Sequence, residues 1–182
     1  KRALADQLMA LLLCQRPSAQ GACGSCKGCL LLAAHTHPDH YILEPEEVDK
    51  AIRVDQVRQL VGFVTQTAQL GGRKVVLLEP AEAMNLNAAN ALLKSLEEPA
   101  GDTVLLLISH QPSRLLPTIK SRCVQQSCPL PGRQQSLDWL AVQLPDVSPA
   151  QREELLALSA NSPLAALKLQ GAGVLDMRVQ IV

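Results

Sequence analysis

Aromatic side chains are scarce. Trp139, Tyr41 and Phe63 are the only ones in 182 residues, and they are scattered. Stacking platforms for single-stranded nucleic acid need several rings, so that mode of binding is excluded, and the core must rest on Leu, Ala, Val and Ile. An excess of one charge is also missing: 17 basic residues face 17 acidic ones. A protein that gripped nucleic acid with its whole surface would be basic, so any such role is local or shared with partners. No apolar run approaches the roughly 20 residues of a membrane span. Lys1-Arg2 and the apolar stretch after them are interrupted by Asp6, and no small-residue cleavage site follows, so no signal peptide is read there. The expectation is a soluble, cytoplasmic protein. In that setting its six cysteines are thiols or metal ligands before they are disulfides.

What is present is a hydrophobic fraction of 47%, enough for one core and a small second domain. Helical spacing marks Arg2–Cys14, Arg53–Ala68 and Asn87–Glu97, with a short helix at about 27–34. Val54, Val57, Leu60, Val61 and Val64 share one face of the second of these. Lys74–Leu78 and Thr103–Ser109 are apolar runs of the kind buried in parallel sheets. His40–Leu43 and Val124–Gln126 read as shorter strands, Gly71-Gly72 as a turn and Ser113–Arg122 as a short helix. Strands alternating with helices define an α/β parallel sheet. After Pro129 and Pro131 only helical stretches follow: Gln134–Gln143, Pro149–Ala160 and Pro163–Gln170. The expected domains are 1–130 and 131–182. Lys1 to Leu13 is apolar at helical spacing with no cap before it, as if the chain began inside a helix; a preceding segment is expected.

The strongest chemical signal is Cys14, Cys23, Cys26 and Cys29, spaced C-x8-C-x2-C-x2-C. Two adjoining C-x2-C turns let sulfurs converge on one ion, and Gly24 and Gly28 supply tight backbone. Four thiolates favour tetrahedral zinc, and a full ligand set makes the site structural. An iron–sulfur cluster is the alternative use of such cysteines; unliganded thiols are the plainest one. Cys123 and Cys128, at the edge of apolar segments, read as small hydrophobes. His37-Pro38-Asp39-His40 reads as a turn into a strand, with a second metal site there, joined by His35, or a catalytic His–Asp pair as the weaker options.

From Cys14 to Arg122 the chain resembles the delta-prime subunits of bacterial DNA polymerase III clamp loaders, members of the AAA+ family. The matching stretches are the cysteine knuckle, Thr36-His37-Pro38-Asp39, Gly71-Gly72-Arg73-Lys74-Val75-Val76, Asn90-Ala91-Leu92-Leu93-Lys94-Ser95-Leu96-Glu97-Glu98-Pro99 and Ser121-Arg122-Cys123. The resemblance implies an AAA+ P-loop-type α/β domain with a zinc knuckle inserted at about 14–34. A small all-helical lid follows, and in the family a collar domain that would lie beyond Val182. It implies gamma/tau and delta subunits as partners, with the sliding clamp and primed DNA in the complex.

Several positions depart from a working ATPase of that family. If Lys1 closes a phosphate loop, Arg2 stands where Ser or Thr would hold Mg²⁺, and a guanidinium cannot ligate a cation. Glu79 occupies the place of a metal-holding Asp, and Pro80 the place of the catalytic Glu. Ser109 and His110 stand where a sensor Asn or Thr is expected, and Leu164 replaces a phosphate-reading Arg in Asn161-Ser162-Pro163-Leu164. No intrinsic ATP hydrolysis is therefore expected. Arg122 matches the family's finger, which reaches into the ATP site of an adjacent gamma/tau subunit; pairing with a carboxylate of its own surface is the simpler reading. Arg114 and Lys120 are expected to flank that interface, Asn85–Asn90 to border the DNA chamber, and Glu97-Glu98 to form a solvated helix end. The competing readings are an active gamma/tau-type ATPase, which should carry Asp-Glu after the buried strand and an Arg in the lid, and a free zinc-ribbon nucleic-acid binder, which should carry more cations than Arg16 and Lys27 between its cysteines. A catalytic zinc enzyme would need an open ligand position.

Overall fold

Lys74–Leu78 (β2) has no polar alternation because both its faces are covered. It lies at the centre of a parallel three-stranded sheet, between His40–Leu43 (β1) and Thr103–Leu107 (β3). Val75 is level with His40 on one side and Val104 on the other. The period of two then sorts its side chains. Val76 and Leu78 pack with Val57, Leu60 and Val64 of Val54–Thr65 (α3) and with Ala88 and Leu92 of Leu86–Glu97 (α4). Val75 and Leu77 face the other way, onto Ala5, Met9 and Leu13 of Arg2–Leu13 (α1). This computed structural model describes residues 1–173 except 48 and 71.

Polar ties hold the sheet's lower end. The carboxylate of Asp39, 1% exposed, accepts from the backbone N–H groups of Gln69 and Leu70 at 2.7 and 2.9 Å. Lys74 is buried but not unpaired: its Nζ donates to the Phe63 carbonyl at 2.6 Å and lies 4.0 Å from the Phe63 ring centroid. Tyr41 packs on the same ring, centroids 5.2 Å apart. Two of the three aromatics therefore serve the core.

α4 starts one residue earlier than its periodicity suggests. Asn85 caps it, accepting from the Ala88 N–H at 2.8 Å. The helix expected at Ser113–Arg122 is divided in two: a 3₁₀ turn at Pro112–Arg114, then Pro117–Lys120 (α5). Pro117 forbids helical backbone at Leu116, which is extended with ψ 136°. Arg122 consequently lies beyond the helix rather than ending it. Val124–Gln126 is an exposed irregular segment and not a strand; among the described residues no strand pairs with it. β3 stops at Leu107, two residues short of the expectation. Of the expected Gly71-Gly72 turn, Gly71 lies outside the described residues.

The chain forms two compact units, Lys1–Gln126 and a second beginning at Ser127. In the second, Arg133–Gln143 (α6), Pro149–Leu158 (α7) and Pro163–Gly171 (α8) bury Leu140, Leu155, Leu156 and Ala166 against one another. Ser148 and Ser162 cap α7 and α8, each just before a proline at the first helical position.

Candidate functional site

The cysteine knuckle joins the end of α1 to Lys27–Ala33 (α2). Cys14 follows the last turn of α1, and Cys26 caps α2 by accepting from the Cys29 N–H at 3.4 Å. Gly24 adopts φ +70°, which lets the chain reverse between Cys23 and Cys26. Gly28 serves differently. A Cβ there would sit 2.5 Å from the Leu13 carbonyl oxygen, so its bare backbone is what lets α2 approach α1.

The four sulfurs lie within 4.8 Å of one another, and none is in a disulfide. Tetrahedral zinc with bonds of about 2.3 Å separates its sulfurs by about 3.8 Å; Cys14 Sγ and Cys26 Sγ are 3.9 Å apart. Backbone donors are already aimed at them: Cys23 N–H and Arg16 N–H at Cys14 Sγ (3.3 and 3.4 Å), and Gln15 N–H at Cys26 Sγ (3.5 Å). Such donors favour thiolate over thiol. The N–H groups of Ser25 and Cys26 hold the Cys23 thiol down at about 5, and those of Cys29 and Gln15 lower that of Cys26. Desolvation pushes Cys29 up to about 12. Donor type, spacing and N–H bonding all fit a tetrahedral metal ion with no open position. The neighbouring histidines are not part of this cage. His37 Nδ1 accepts from the Asp39 N–H at 3.1 Å, inside the turn into β1.

At the carboxyl ends of the strands, where open α/β sheets place their ligands, the groups bond to one another. The Arg2 Nη1 donates to Glu44 Oε1 at 2.6 Å and to Glu79 Oε2 at 2.8 Å, while its Nε bonds Asp6 at 3.0 Å. Glu44 and then Glu79 hold this guanidinium even more firmly protonated than usual. His110 Nε2 stands 3.3 Å from the other oxygen of Glu79. Lys1 Nζ donates to the Ser109 carbonyl at 2.6 Å, and Glu82 Oε1 brackets the N–H groups of His110 and Gln111. Beside them an open cleft of about 780 Å³ is lined by Glu44, Glu47, Asp49, Glu79 and Glu82 against Lys50, His110 and Arg114. The carboxylates of Asp6, Glu44 and Glu79 thus converge on the Arg2 guanidinium. Glu44 was not anticipated as its partner; only the parallel pairing of Leu43 with Leu78 makes the residues after them neighbours.

Arg122 is held on its own surface. Its Nη1 donates to the Thr118 carbonyl at 3.0 Å and its Nη2 pairs with Glu97 Oε1. Ser121 Oγ also donates to the Thr118 carbonyl, at 3.1 Å. Glu97 is therefore not only a solvated helix end. It joins the Leu-Leu-Lys-Ser-Leu-Glu-Glu-Pro helix to the Ser-Arg-Cys segment, two motifs read separately in the sequence.

A parallel α/β sheet with a cysteine knuckle inserted after its first helix, followed by a small helical unit, is the architecture of an AAA+ clamp-loader subunit. A family model described as "DNA polymerase III, delta subunit" matches residues 1–129. The chain is 75% identical over 182 residues to "DNA polymerase III subunit delta'" of Pseudomonas aeruginosa, covering 100% of this chain and 56% of that one. It is 42% identical over 167 residues to the protein of the same name from Escherichia coli K12, covering 92% and 50%. Among solved structures, a DNA polymerase III gamma subunit-related protein of Thermotoga maritima aligns with TM-score 0.58 and 30% identity, over 79% of this chain and 48% of that one. The chain belongs to the DNA polymerase III delta-subunit family, on the delta-prime side of it. It spans about half the length of the curated relatives it matches. Among the described residues no helix is long and apolar enough to cross a membrane.

Proposed function

We propose that this chain is the AAA+ and lid portion of a clamp-loader subunit that hydrolyses no ATP itself and lends Arg122 to a neighbouring gamma/tau ATPase. With gamma/tau and delta it helps place the sliding clamp on primed DNA in the cytoplasm. The observation that carries the reading is the Arg2 ion-pair cluster. Hydrolysis needs a Mg²⁺-bound triphosphate and a carboxylate to activate water. Here Glu79 is committed to Arg2, and Pro80 offers no carboxylate. The same cluster disfavours the active gamma/tau-type reading, because the acidic cleft beside it would repel a triphosphate that had no bound cation.

Arg122 suits the complementary part. A planar, permanently charged guanidinium stabilises charge that builds on phosphoryl oxygens, and its side chain is 30% exposed. Cys14, Cys23, Cys26 and Cys29 would hold zinc as a structural ion, fastening α2 to the end of α1. Asn85–Asn90 borders the DNA chamber in this reading, and Arg114 and Lys120 border the subunit interface.

The test uses the full-length protein assembled with its ATPase partners. Arg122→Ala should leave assembly and metal content intact and lower ATP turnover of the complex by tenfold or more; trans fingers in GTPases supply about 10³–10⁵. Unchanged turnover in a fully assembled complex would refute the finger.

A further inference from the structure

The contact between Arg122 and Glu97 has a consequence for when a finger can act. The two residues are 25 apart in the chain and meet because α5 packs against the end of α4. Arg122 is fixed twice, by Glu97 and by the Thr118 carbonyl, so two of its five N–H donors are engaged on its own subunit. The pair is neither buried nor fully solvated: the guanidinium is 30% exposed and the carboxylate 50%. A buried bridge would hold too firmly to open. A half-exposed one shifts an equilibrium by a factor of about five at most.

We propose that Glu97 is an internal catch for Arg122. It retains the guanidinium on the subunit's own surface until a more highly charged acceptor is presented across an interface. The inference rests on the reading of Arg122 as a finger in trans. A carboxylate carries one negative charge. A triphosphate carries several and offers the planar fork more than one oxygen, so it takes the guanidinium over. A diphosphate lacks the γ-phosphoryl group and competes less well. Glu97 thereby acts as a positioning residue: it makes engagement of the finger depend on the charge of the neighbour's nucleotide. Glu98 follows it at the same helix end, where its backbone N–H caps α4 by bonding the Lys94 carbonyl. It provides a control with the same formal charge.

The experiment is steady-state ATP turnover of the full-length assembled complex, with KM and kcat for ATP and half-inhibition by ADP. Wild type, Glu97→Gln, Glu98→Gln, Arg122→Ala and the double variant Glu97→Gln/Arg122→Ala are compared, each checked for metal content and assembly. Glu97→Gln should lower KM for ATP and the ADP concentration for half-inhibition about two- to fivefold, the range open to a partly exposed pair, with kcat little changed. Glu98→Gln should match wild type. In the Arg122→Ala background the Glu97 change should have no effect, because the catch acts only through that side chain. Constants for Glu97→Gln equal to wild type, a raised KM, or the same shift in the Arg122→Ala background would overturn the catch while leaving the finger standing. If Arg122→Ala alone changes nothing, the finger fails and the catch fails with it.

Discussion

The cysteine knuckle and the carboxylate face at the ends of β1 and β2 both gather ligands suited to a cation, and they treat the cation in opposite ways. In the knuckle, four sulfurs converge within 4.8 Å and, among the described residues, receive backbone N–H groups and the Ser25 hydroxyl rather than a cationic side chain, so they could hold an ion from outside. On the carboxylate face, Glu44 and Glu79 share one nitrogen of Arg2, and the chain supplies the cation itself. Ligand type alone therefore does not make a metal site. What decides it is whether the chain has already neutralised its own ligands.

The largest expected effect is on the knuckle. Cys26→Ser should reduce bound metal from one ion per chain to none by elemental analysis. It should also lower stability by a substantial part of the roughly 10–16 kcal/mol that structural zinc contributes in small finger peptides. A variant that keeps both its metal and its melting temperature would break the comparison at its first side. Gly28→Ala tests the packing beneath the ion. Its new methyl would meet the Leu13 carbonyl at 2.5 Å, a rigid backbone atom, and overpacking of this kind costs about 1–3 kcal/mol; denaturant unfolding measures it.

Arg2→Ala tests the other side. Removing the guanidinium leaves three carboxylates, Asp6, Glu44 and Glu79, without their shared partner, and Mn²⁺ binding should appear by electron paramagnetic resonance where the wild type shows none at this face. The cost to stability should come mainly from Glu79, whose carboxylate is 15% exposed and loses its Arg2 partner, rather than from the exposed Glu44. Equal Mn²⁺ binding with and without Arg2 would show that the guanidinium does not fill the cation's place. The smallest effect is on pH dependence. Burial lowers the pKa of His37 and His40 below the ordinary 6.5, so the unfolded chain binds protons first as pH falls. Their contribution to stability is intact above about pH 6.5 and is lost progressively below it. A melting temperature that rises from pH 6.5 to pH 5 would reverse that sign.

Much of this was legible in the sequence, for local reasons. The unbroken apolar run at Lys74–Leu78 could belong only to a strand covered on both faces, and the C-x2-C-x2-C spacing alone brings sulfurs together. Pro149 and Pro163 mark helix starts because they fix backbone that a first turn needs. Where reading failed, the deciding contact was distant or the local signal was outweighed. Helical spacing over Ser113–Arg122 lost to the steric effect of Pro117 on Leu116. Val124 has strand character, yet among the described residues it pairs with no strand, and it is fully exposed. Asp6 lies within reach of Arg2 by helical spacing, but the distant partners were invisible: Glu44 lies 42 residues from Arg2, and Glu97 lies 25 from Arg122. Strand register and helix packing create both pairs, and no spacing rule contains them.

The most direct test is phosphate release from Mg²⁺-ATP by the purified chain, without any partner subunit. On the proposed reading, in which Arg2 occupies Glu44 and Glu79 and Pro80 takes the place of a catalytic carboxylate, phosphate release should be no faster than a blank. Metal-dependent turnover that disappears in Glu79→Gln would contradict the account.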